Sequence, residues 1–318
     1  MVDKKRWGRK HEDKRNWRKY NDELVMRGYF YINPRFLETW NEEIKQMNAG
    51  KVGEPYLYPN SMIEFLAVLS PKYDDRALEG IMMSLSEKNH NFPVISYSQI
   101  NRRVNALNLD FPIKENKNII IGEDFVGADS SGIKVSNRGE WIRHKWKVKR
   151  GWIKVVVLGN KKGRVVDVMV GVEDELNENE SSRAMIKIHH KTISKFSGDG
   201  GLDAKENFNL CRELKIIPII KIDKNASENA NQCMIRWKYS QEQKKLGYKK
   251  WAKKSSYGYR WVCTEGIFSA VKRMEGEYVS ASKKENMLHE AKMKFWIYER
   301  IRKFQDKLGV VSGNCVAN

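Results

Sequence analysis

Residues 117–137 read KNIIIGEDFVGADSSGIKVSN, and the interpretation of the whole chain starts from this stretch. Three isoleucines (119–121) are followed, after a Gly-Glu-Asp turn, by a second apolar run at 125–128. Apolar and polar residues then alternate as far as Val135, which is typical of strands rather than helices. Asp129 comes where the apolar run ends, and we predict that the buried strand ends there. Because a buried unpaired charge is costly, this carboxylate is either exposed in an ordinary turn, hydrogen-bonded, or neutralised by a metal ion.

Two later acids favour the metal interpretation. Asp199 follows a short predicted strand in the same way, and Glu265 begins a helix predicted over residues 264–274. The apolar stripe of that helix leaves Glu265, Ser269 and Lys272 together on another face. If the two strands are neighbours, Asp129 and Asp199 project from one edge of the sheet. Three hard oxygen donors suit Mg²⁺ or Mn²⁺, and two such ions about 4 Å apart support displacement at phosphorus.

Four other acids lie near these positions. Asp124 precedes Asp129, but it does not end the longer apolar run. Asp203 is close to Asp199, and we predict that it caps the next helix. Glu275 and Glu277 lie beyond the packed turns of the helix predicted over residues 264–274, so they are set aside.

Charge is the most unusual property of the composition. The 318 residues carry 59 Lys or Arg against 40 Asp or Glu, a net charge of +19. Such an excess predicts a polyanionic partner, and double-stranded DNA is the default. No stretch approaches the roughly 18 apolar residues of a membrane-spanning helix, and the N-terminus does not resemble a signal peptide. We therefore expect no membrane association and a cytoplasmic, nucleoid-associated protein.

The N-terminal third predicts helices. Residues 1–20 form a basic arm, and residues 59–107 contain three short amphipathic segments. The last segment carries polar and basic side chains on its outward face, where they can contact base edges or phosphates: Gln99, Arg102 and Arg103. A helix-turn-helix reader of DNA is the functional prediction, and a solvated polar face is the alternative.

Strand and helix signals alternate beyond residue 116, which predicts an α/β domain with a mixed sheet. The predicted division is a basic arm and helical domain at 1–116, a catalytic domain at 117–308 and a tail at 309–318. Two segments of the catalytic part, 143–154 and 236–256, combine cations with aromatic residues and are predicted to contact DNA. In the first segment the predicted contacts are Lys145, Lys147, Lys149 and Arg150.

Several blocks together resemble the DDE transposases of prokaryotic insertion sequences, most closely the insertion sequence 5 group. The blocks, in chain order, are WRKYNDELVMRGYFYI, YSQINRR, ADSSGIKVSNRGEW, SGDGGLDAKENF, IPIIKIDKNAS and YRWVCTEGIFSAVKR. The resemblance implies a ribonuclease H-like core in which Asp129, Asp199 and Glu265 surround two metal ions. It also implies a contributing Lys272 and a Tyr-x-x-Arg element whose Arg260 contacts DNA. This chain departs from the pattern at Leu202, where Tyr is usual, and by one extra residue between Arg260 and Glu265.

The resemblance implies an enzyme that binds the terminal inverted repeats of its element, cleaves the strand at each end and transfers it to target DNA. A homodimer on DNA is expected. The alternative from a different class is a sequence-specific DNA-binding regulator with an inactive ribonuclease H-like domain. A housekeeping nuclease would instead cut without end specificity.

Overall fold

The structure, a computed structural model, describes residues 16–90, 92–111, 124–135, 151–223 and 233–309. A helical N-terminal part precedes a part built on a mixed sheet, as the sequence predicted. None of the described helices, including the longest at 26 residues, has an apolar stretch that could cross a lipid bilayer. Some predictions concern residues outside the described ranges: those for residues 1–15, for the isoleucine run 119–121 and for the cations of 143–150.

Five helices form the N-terminal part: α1 (Trp17–Tyr31), α2 (Phe36–Asn48), α3 (Asn60–Leu69), α4 (Asp75–Lys88) and α5 (Tyr97–Asn105). The predicted trio is confirmed as α3 to α5. Asp74 caps α4, since its carboxylate accepts the backbone N–H groups of Arg76 and Ala77. The connections within the trio, residues 70–74 and 89–96, are longer than the three to four residues typical of a helix-turn-helix.

The sheet contains six strands: β1 (Asp124–Val135), β2 (Trp152–Asn160), β3 (Val165–Val172), β4 (Ile193–Gly198), β5 (Ile217–Ile220) and β6 (Tyr278–Val279). Their order is β3-β2-β1-β4-β5, and β6 pairs with the far end of β1. β1 is antiparallel to β2 and parallel to β4, while β4 is parallel to β5. Pro218 lies in β5, the last strand of this order, where a missing N–H is tolerated.

In the described part of the chain, seven α-helices accompany the sheet: α6 (Glu178–His189), α7 (Lys205–Glu213), α8 (Met234–Leu246), α9 (Tyr248–Ser255), α10 (Tyr259–Cys263), α11 (Glu265–Glu275) and α12 (Lys284–Gly309). The sequence predicted all of these except α8 to α10, a helical insertion between β5 and α11. Only Ser240 is buried in α8 and only Trp251 in α9, so neither helix contributes a row of buried apolar side chains like those of the predicted helices.

Helices cover both faces of the sheet, and the parity of residues in β1 shows which face each side chain occupies. Val126 and Ala128 pack with residues of α6 and α7. Ile133 and Val135 pack on the other face with residues of α11 and α12. Because side chains alternate along a strand, Asp129 lies on the same face as Ile133, the face that carries α11.

α12 belongs to both parts of the molecule. One side of it completes the core of the N-terminal helices, and the other packs against the sheet. Its residues in the helical core are Met293, Trp296, Ile297 and Ile301, and those against the sheet are Met287, Ala291, Phe295 and Tyr298. A helix apolar on opposite sides is buried between two layers. The helical part therefore draws a substantial share of its core from the last helix of the chain.

Candidate active site

Two neighbouring strands bring Asp129 and Asp199 together. β1 and β4 are parallel, and their register pairs Gly127 with Ser197. Two residues further along each strand, the same register places Asp129 beside Asp199. β4 ends at Gly198, so Asp199 lies just past the strand, at the edge of the sheet where parallel βαβ units concentrate functional residues. The predicted adjacency of these two acids is therefore present in the fold.

The prediction that β1 ends at Asp129 was wrong. β1 continues to Val135, and Asp129 lies in the middle of the strand. The reason is that β2 pairs with β1 along nearly its whole length, with Asp129 opposite Val157 and Lys134 opposite Trp152. Asp129 is nevertheless reachable, because its neighbour on the other side, β4, has already ended.

Glu265 lies at the start of α11, and Arg260 of α10 connects it to Asp129. The guanidinium of Arg260 donates one hydrogen bond to Asp129 Oδ2 at 3.1 Å and another to Glu265 Oε1 at 2.5 Å. Both acids therefore lie within reach of a single cation. The sequence predicted Arg260 as a DNA contact, but here it bridges two of the three predicted metal ligands. Its charge offsets the repulsion between two carboxylates on one site.

Burial dominates the electrostatics of Asp129. The pKa of this carboxyl group is raised to about 6, chiefly by burial and in smaller part by the nearby charges of Asp199 and Glu178. The backbone N–H of Ser130 and the guanidinium of Arg260 act in the opposite direction. A carboxyl group that titrates near pH 6 gains from a divalent cation, because the cation favours the ionised form.

The neighbouring acids have structural roles. Asp199 accepts a hydrogen bond from Gly201 N at 2.8 Å, which orders the turn that follows β4. The prediction that Asp203 caps α7 was wrong: no side chain caps that helix, and Asp203 forms a bidentate ion pair with Arg236, with two bonds of 2.7 Å. Asp124, at an even position of β1, points to the opposite face from Asp129 and accepts a hydrogen bond from Asn160.

Lys272 extends the site along the same face of the sheet. Its ammonium donates a 2.8 Å hydrogen bond to Ser131 Oγ, and Ser131 lies two residues beyond Asp129 on β1. Partial burial lowers the pKa of Lys272. Asp129, Glu265 and Lys272 thus occupy a row on the face covered by α10 and α11.

The sequence analysis did not single out Glu178, which the structure brings to the opposite side of β1. Glu178 begins α6 and accepts a 2.5 Å hydrogen bond from Ser130 Oγ. The start of α6 is also joined to the Asp199 turn, because Asn179 donates a 3.0 Å hydrogen bond to the carbonyl of Gly201. Glu178 stands in an acidic polar stretch, and nothing in the sequence distinguishes it from its neighbours.

The donor chemistry of Asp129, Asp199 and Glu265 fits Mg²⁺ or Mn²⁺, since all three are hard oxygen ligands. Among the residues that the structure describes, however, no three His, Cys, Asp or Glu side chains are grouped closely enough to hold a metal ion. The acids converge on one region, and Arg260 lies between two of them.

The predicted DNA contacts of α5 have different environments. Arg102 is exposed and Gln99 is half-buried. Arg103 turns toward the protein, where it donates hydrogen bonds to the carbonyl of Tyr58 at 2.7 Å and to Asn60 Oδ1 at 3.0 Å. Arg103 therefore braces the helical part. The remaining predicted contacts, Lys145, Lys147, Lys149 and Arg150, lie outside the described residues.

Comparisons with known proteins place the chain in a family. Among solved structures it resembles a piggyBac transposase synaptic complex with hairpin DNA, at 11% identity over 93% of this chain and 85% of that chain, with a TM-score of 0.31. It also resembles a simian T-cell lymphotropic virus intasome in complex with the PP2A regulatory subunit B56 gamma, at 10% identity over 68% and 74% of the two chains, with a TM-score of 0.23.

Two family descriptions, both "transposase DDE domain", match the sequence itself. One covers residues 25–138. The other covers residues 122–299, more than half of the chain and the whole of the sheet with its three acids. The chain belongs to the family of transposase DDE domains.

Proposed function

We propose that this chain is an active DNA transposase of an insertion sequence, most similar to the insertion sequence 5 group, with a ribonuclease H-like catalytic part. It binds the inverted repeats at the ends of its element, cleaves them and transfers the freed ends to target DNA. The observation that carries the proposal is the convergence of Asp129, Asp199 and Glu265 at one edge of the sheet, two of them in contact with a single cationic side chain.

Asp129, Asp199 and Glu265 would hold divalent metal ions, Mg²⁺ or Mn²⁺, expected as a pair. When bound, these ions supply activation of the attacking oxygen and neutralisation of charge at phosphorus. The protein contributes position. β1 and β4 hold two carboxylates in register, and α11 presents the third. Lys272 and Arg260 supply cations near the scissile phosphate, Lys272 as a point charge and Arg260 through a planar fork suited to phosphate oxygens.

The helical part and the basic segments would hold the DNA. Arg102 and Gln99 of α5 would contact a groove, while the lysines of α9 form an exposed cationic surface next to α10, which carries Arg260. That surface comprises Lys249, Lys250, Lys253 and Lys254. Phosphate contacts of this kind position DNA without reading its sequence. A homodimer assembled on two element ends is the expected active form, acting on DNA in the cytoplasm.

The test is cleavage of the element's own ends. The full chain is incubated with a supercoiled plasmid that carries the genomic DNA flanking its coding sequence, with Mg²⁺, Mn²⁺ or chelator. We expect cuts at the element boundaries with either ion and none in chelator, and no cuts with the Asp129→Asn protein. Cutting at random positions would instead support a nuclease. End binding without cutting would support a DNA-binding regulator.

A further inference from the structure

Among the residues that the structure describes, Glu275 is the most deeply buried carboxylate outside the candidate active site. It is the last residue of α11, and its side chain is fully enclosed. Both of its oxygens are used: Tyr31 of α1 donates to Oε1 at 2.7 Å, and Lys72 of the α3–α4 connection donates to Oε2 at 2.7 Å. The prediction that Glu275 lies beyond the packed part of its helix was wrong, because its partners come from distant positions in the chain.

Further polar contacts link Glu275 and its partners. Lys72 also donates to the hydroxyl of Tyr31 at 3.2 Å and lies over its ring, 4.2 Å from the centroid. Lys294 of α12, itself only 1% exposed, donates to the backbone carbonyl of Glu275. We call Tyr31, Lys72, Glu275 and Lys294 the junction cluster. It joins α1 and the α3–α4 connection to α11 and α12.

Stability alone does not account for an ion pair between the enclosed Glu275 and the partly exposed Lys72. Removing charges from water is expensive, and apolar residues of similar volume hold two surfaces together equally well. A charged, hydrogen-bonded cluster fixes the relative position of the elements that it joins, because hydrogen bonds require a narrow range of distances and angles. Apolar packing of Ile267, Phe268 and Val271 keeps α11 on the sheet, but contacts of this kind are non-directional and leave its axial position less defined.

α11 has polar attachments at both ends. Glu265 at its first residue is bonded to Arg260, and Glu275 at its last residue is bonded to the N-terminal part. A helix of 11 residues is about 16 Å long and behaves as a short rod. A shift at Glu275 is therefore carried to Glu265.

We infer that Glu275, held by Lys72 and Tyr31, is a positioning residue that sets the location of Glu265 and makes the candidate active site depend on the docking of the N-terminal helices. This inference rests on the proposed function for the role of Glu265. It assigns to the N-terminal part a second task besides DNA contact, because its α1 and its α3–α4 connection fix one end of the helix that supplies the third acid.

The experiment compares Lys72→Met, which removes the cation, with Lys72→Arg, which keeps it, and with the milder Tyr31→Phe, which removes one hydrogen bond. The matched control is Glu64→Gln. Glu64 of α3 pairs with Arg300 of α12 at 3.0 Å, so it also joins the N-terminal part to the rest of the chain, but it does not touch α11. Circular dichroism sets a temperature at which all variants are folded.

Two quantities are measured on the full chain. The first is Mn²⁺ affinity without DNA, from electron paramagnetic resonance of the free ion. The second is the single-turnover cleavage rate on the plasmid described above, alongside the Kd for its end sequence. We expect Lys72→Met to weaken Mn²⁺ binding severalfold and to slow cleavage roughly tenfold or more, as misplacement by an ångström does. We expect Tyr31→Phe to lower Mn²⁺ affinity and cleavage rate by smaller factors, and Lys72→Arg to retain most of both. The Kd for the DNA end sequence should stay within about twofold of the wild-type value in all variants.

If Glu64→Gln and Lys72→Met lost Mn²⁺ affinity and cleavage rate equally, the inference would be overturned. The junction cluster would then only hold the N-terminal part to the rest of the chain. Unchanged Mn²⁺ affinity and cleavage in folded Lys72→Met and Tyr31→Phe would overturn it as well. A wild type that binds Mn²⁺ but does not cleave refutes the proposed function alone, and the Mn²⁺ affinities of the variants then decide the inference. A wild type that binds no Mn²⁺ overturns both.

Discussion

Replacing Asp129 with Asn is expected to stabilise the metal-free protein while abolishing its activity. The ionised form of Asp129 destabilises the folded protein, because burial next to Asp199 and Glu178 disfavours its charge more than Arg260 favours it. Asn keeps the shape of the side chain and resembles the protonated acid. The variant thus removes an unfavourable charge and a metal ligand in one step.

The size of the effect follows from the pKa. A rise from 3.8 to about 6 is roughly two pH units, and each unit corresponds to about 1.4 kcal/mol, so the ionised carboxylate costs about 3 kcal/mol in the folded state. When folding raises the pKa of an acid, its protonated form contributes to the free energy of unfolding. That contribution is fully present below the unfolded pKa and is lost as pH rises through the folded pKa. The stability advantage of Asp129→Asn therefore is near zero at pH 3.8 and below and reaches its full size above pH 6 or so.

Urea unfolding of both proteins in chelator, at pH values from 4 to 8, measures this difference in free energy. The titration is then repeated with Mn²⁺. A ligand that binds only the folded state stabilises it by roughly 3 kcal/mol when the free ion is at a hundred times its Kd. We expect the wild type to gain this stabilisation at pH 7.5 and Asp129→Asn to gain little.

Either of two results would refute the reasoning. An Asp129→Asn protein less stable than wild type at pH 7.5 in chelator would mean that the ion pair with Arg260 outweighs burial. A stability difference that is the same at pH 4 and pH 8 would mean that Asp129 does not titrate in this range. Cleavage that persists in Asp129→Asn would separately remove this residue from the catalytic set.

Three further outcomes are expected. Arg260→Gln removes a cation that competes for Asp129 and Glu265, so it should tighten Mn²⁺ binding to the DNA-free protein several-fold in paramagnetic resonance titrations while it weakens cleavage; weaker Mn²⁺ binding would contradict this. Arg103→Ala should lower the unfolding temperature of the protein by removing two hydrogen bonds from the helical part, whereas Arg102→Ala should leave it unchanged and weaken DNA binding in gel shifts; the reverse pattern would show that the two arginines are misassigned. Lys272→Ala should slow cleavage less than Asp129→Asn does. If both variants lost the same fraction of the cleavage rate, a role of Lys272 as a phosphate contact would be contradicted.

The sheet and the pairing of its two acids could be predicted because the signals are local. Apolar runs marked β1 and β4, and an α/β pattern with parallel crossovers makes such strands neighbours. The end of β1 could not be predicted in the same way. Ser130 and Ser131 read as a turn, but strand pairing to β2 continues through them, and the partner strand rather than the local sequence decides where β1 ends.

Contacts between distant residues were beyond prediction. Tyr31 and Glu275 are 244 residues apart, and nothing in either neighbourhood indicates that a tyrosine and a glutamate will meet in a buried cluster. Arg260 presents the same difficulty at short range. Its side chain contacts Glu265 across the break between α10 and α11 at Thr264, and it also contacts Asp129 of β1; neither contact has a clear signature in the sequence.

The double use of α12 has a consequence for synthesis. Trp296 and Ile301 complete the core of the N-terminal helices, yet the ribosome makes them after α1 to α11 and all six strands. Domains that fold as units usually do so from the N-terminus during translation. Here α1 to α5 can form local helices early, but their shared interior stays open to water until α12 has emerged. A nascent chain therefore completes its helical part and its sheet part together, and a chain that terminates before α12 leaves the helical core incomplete.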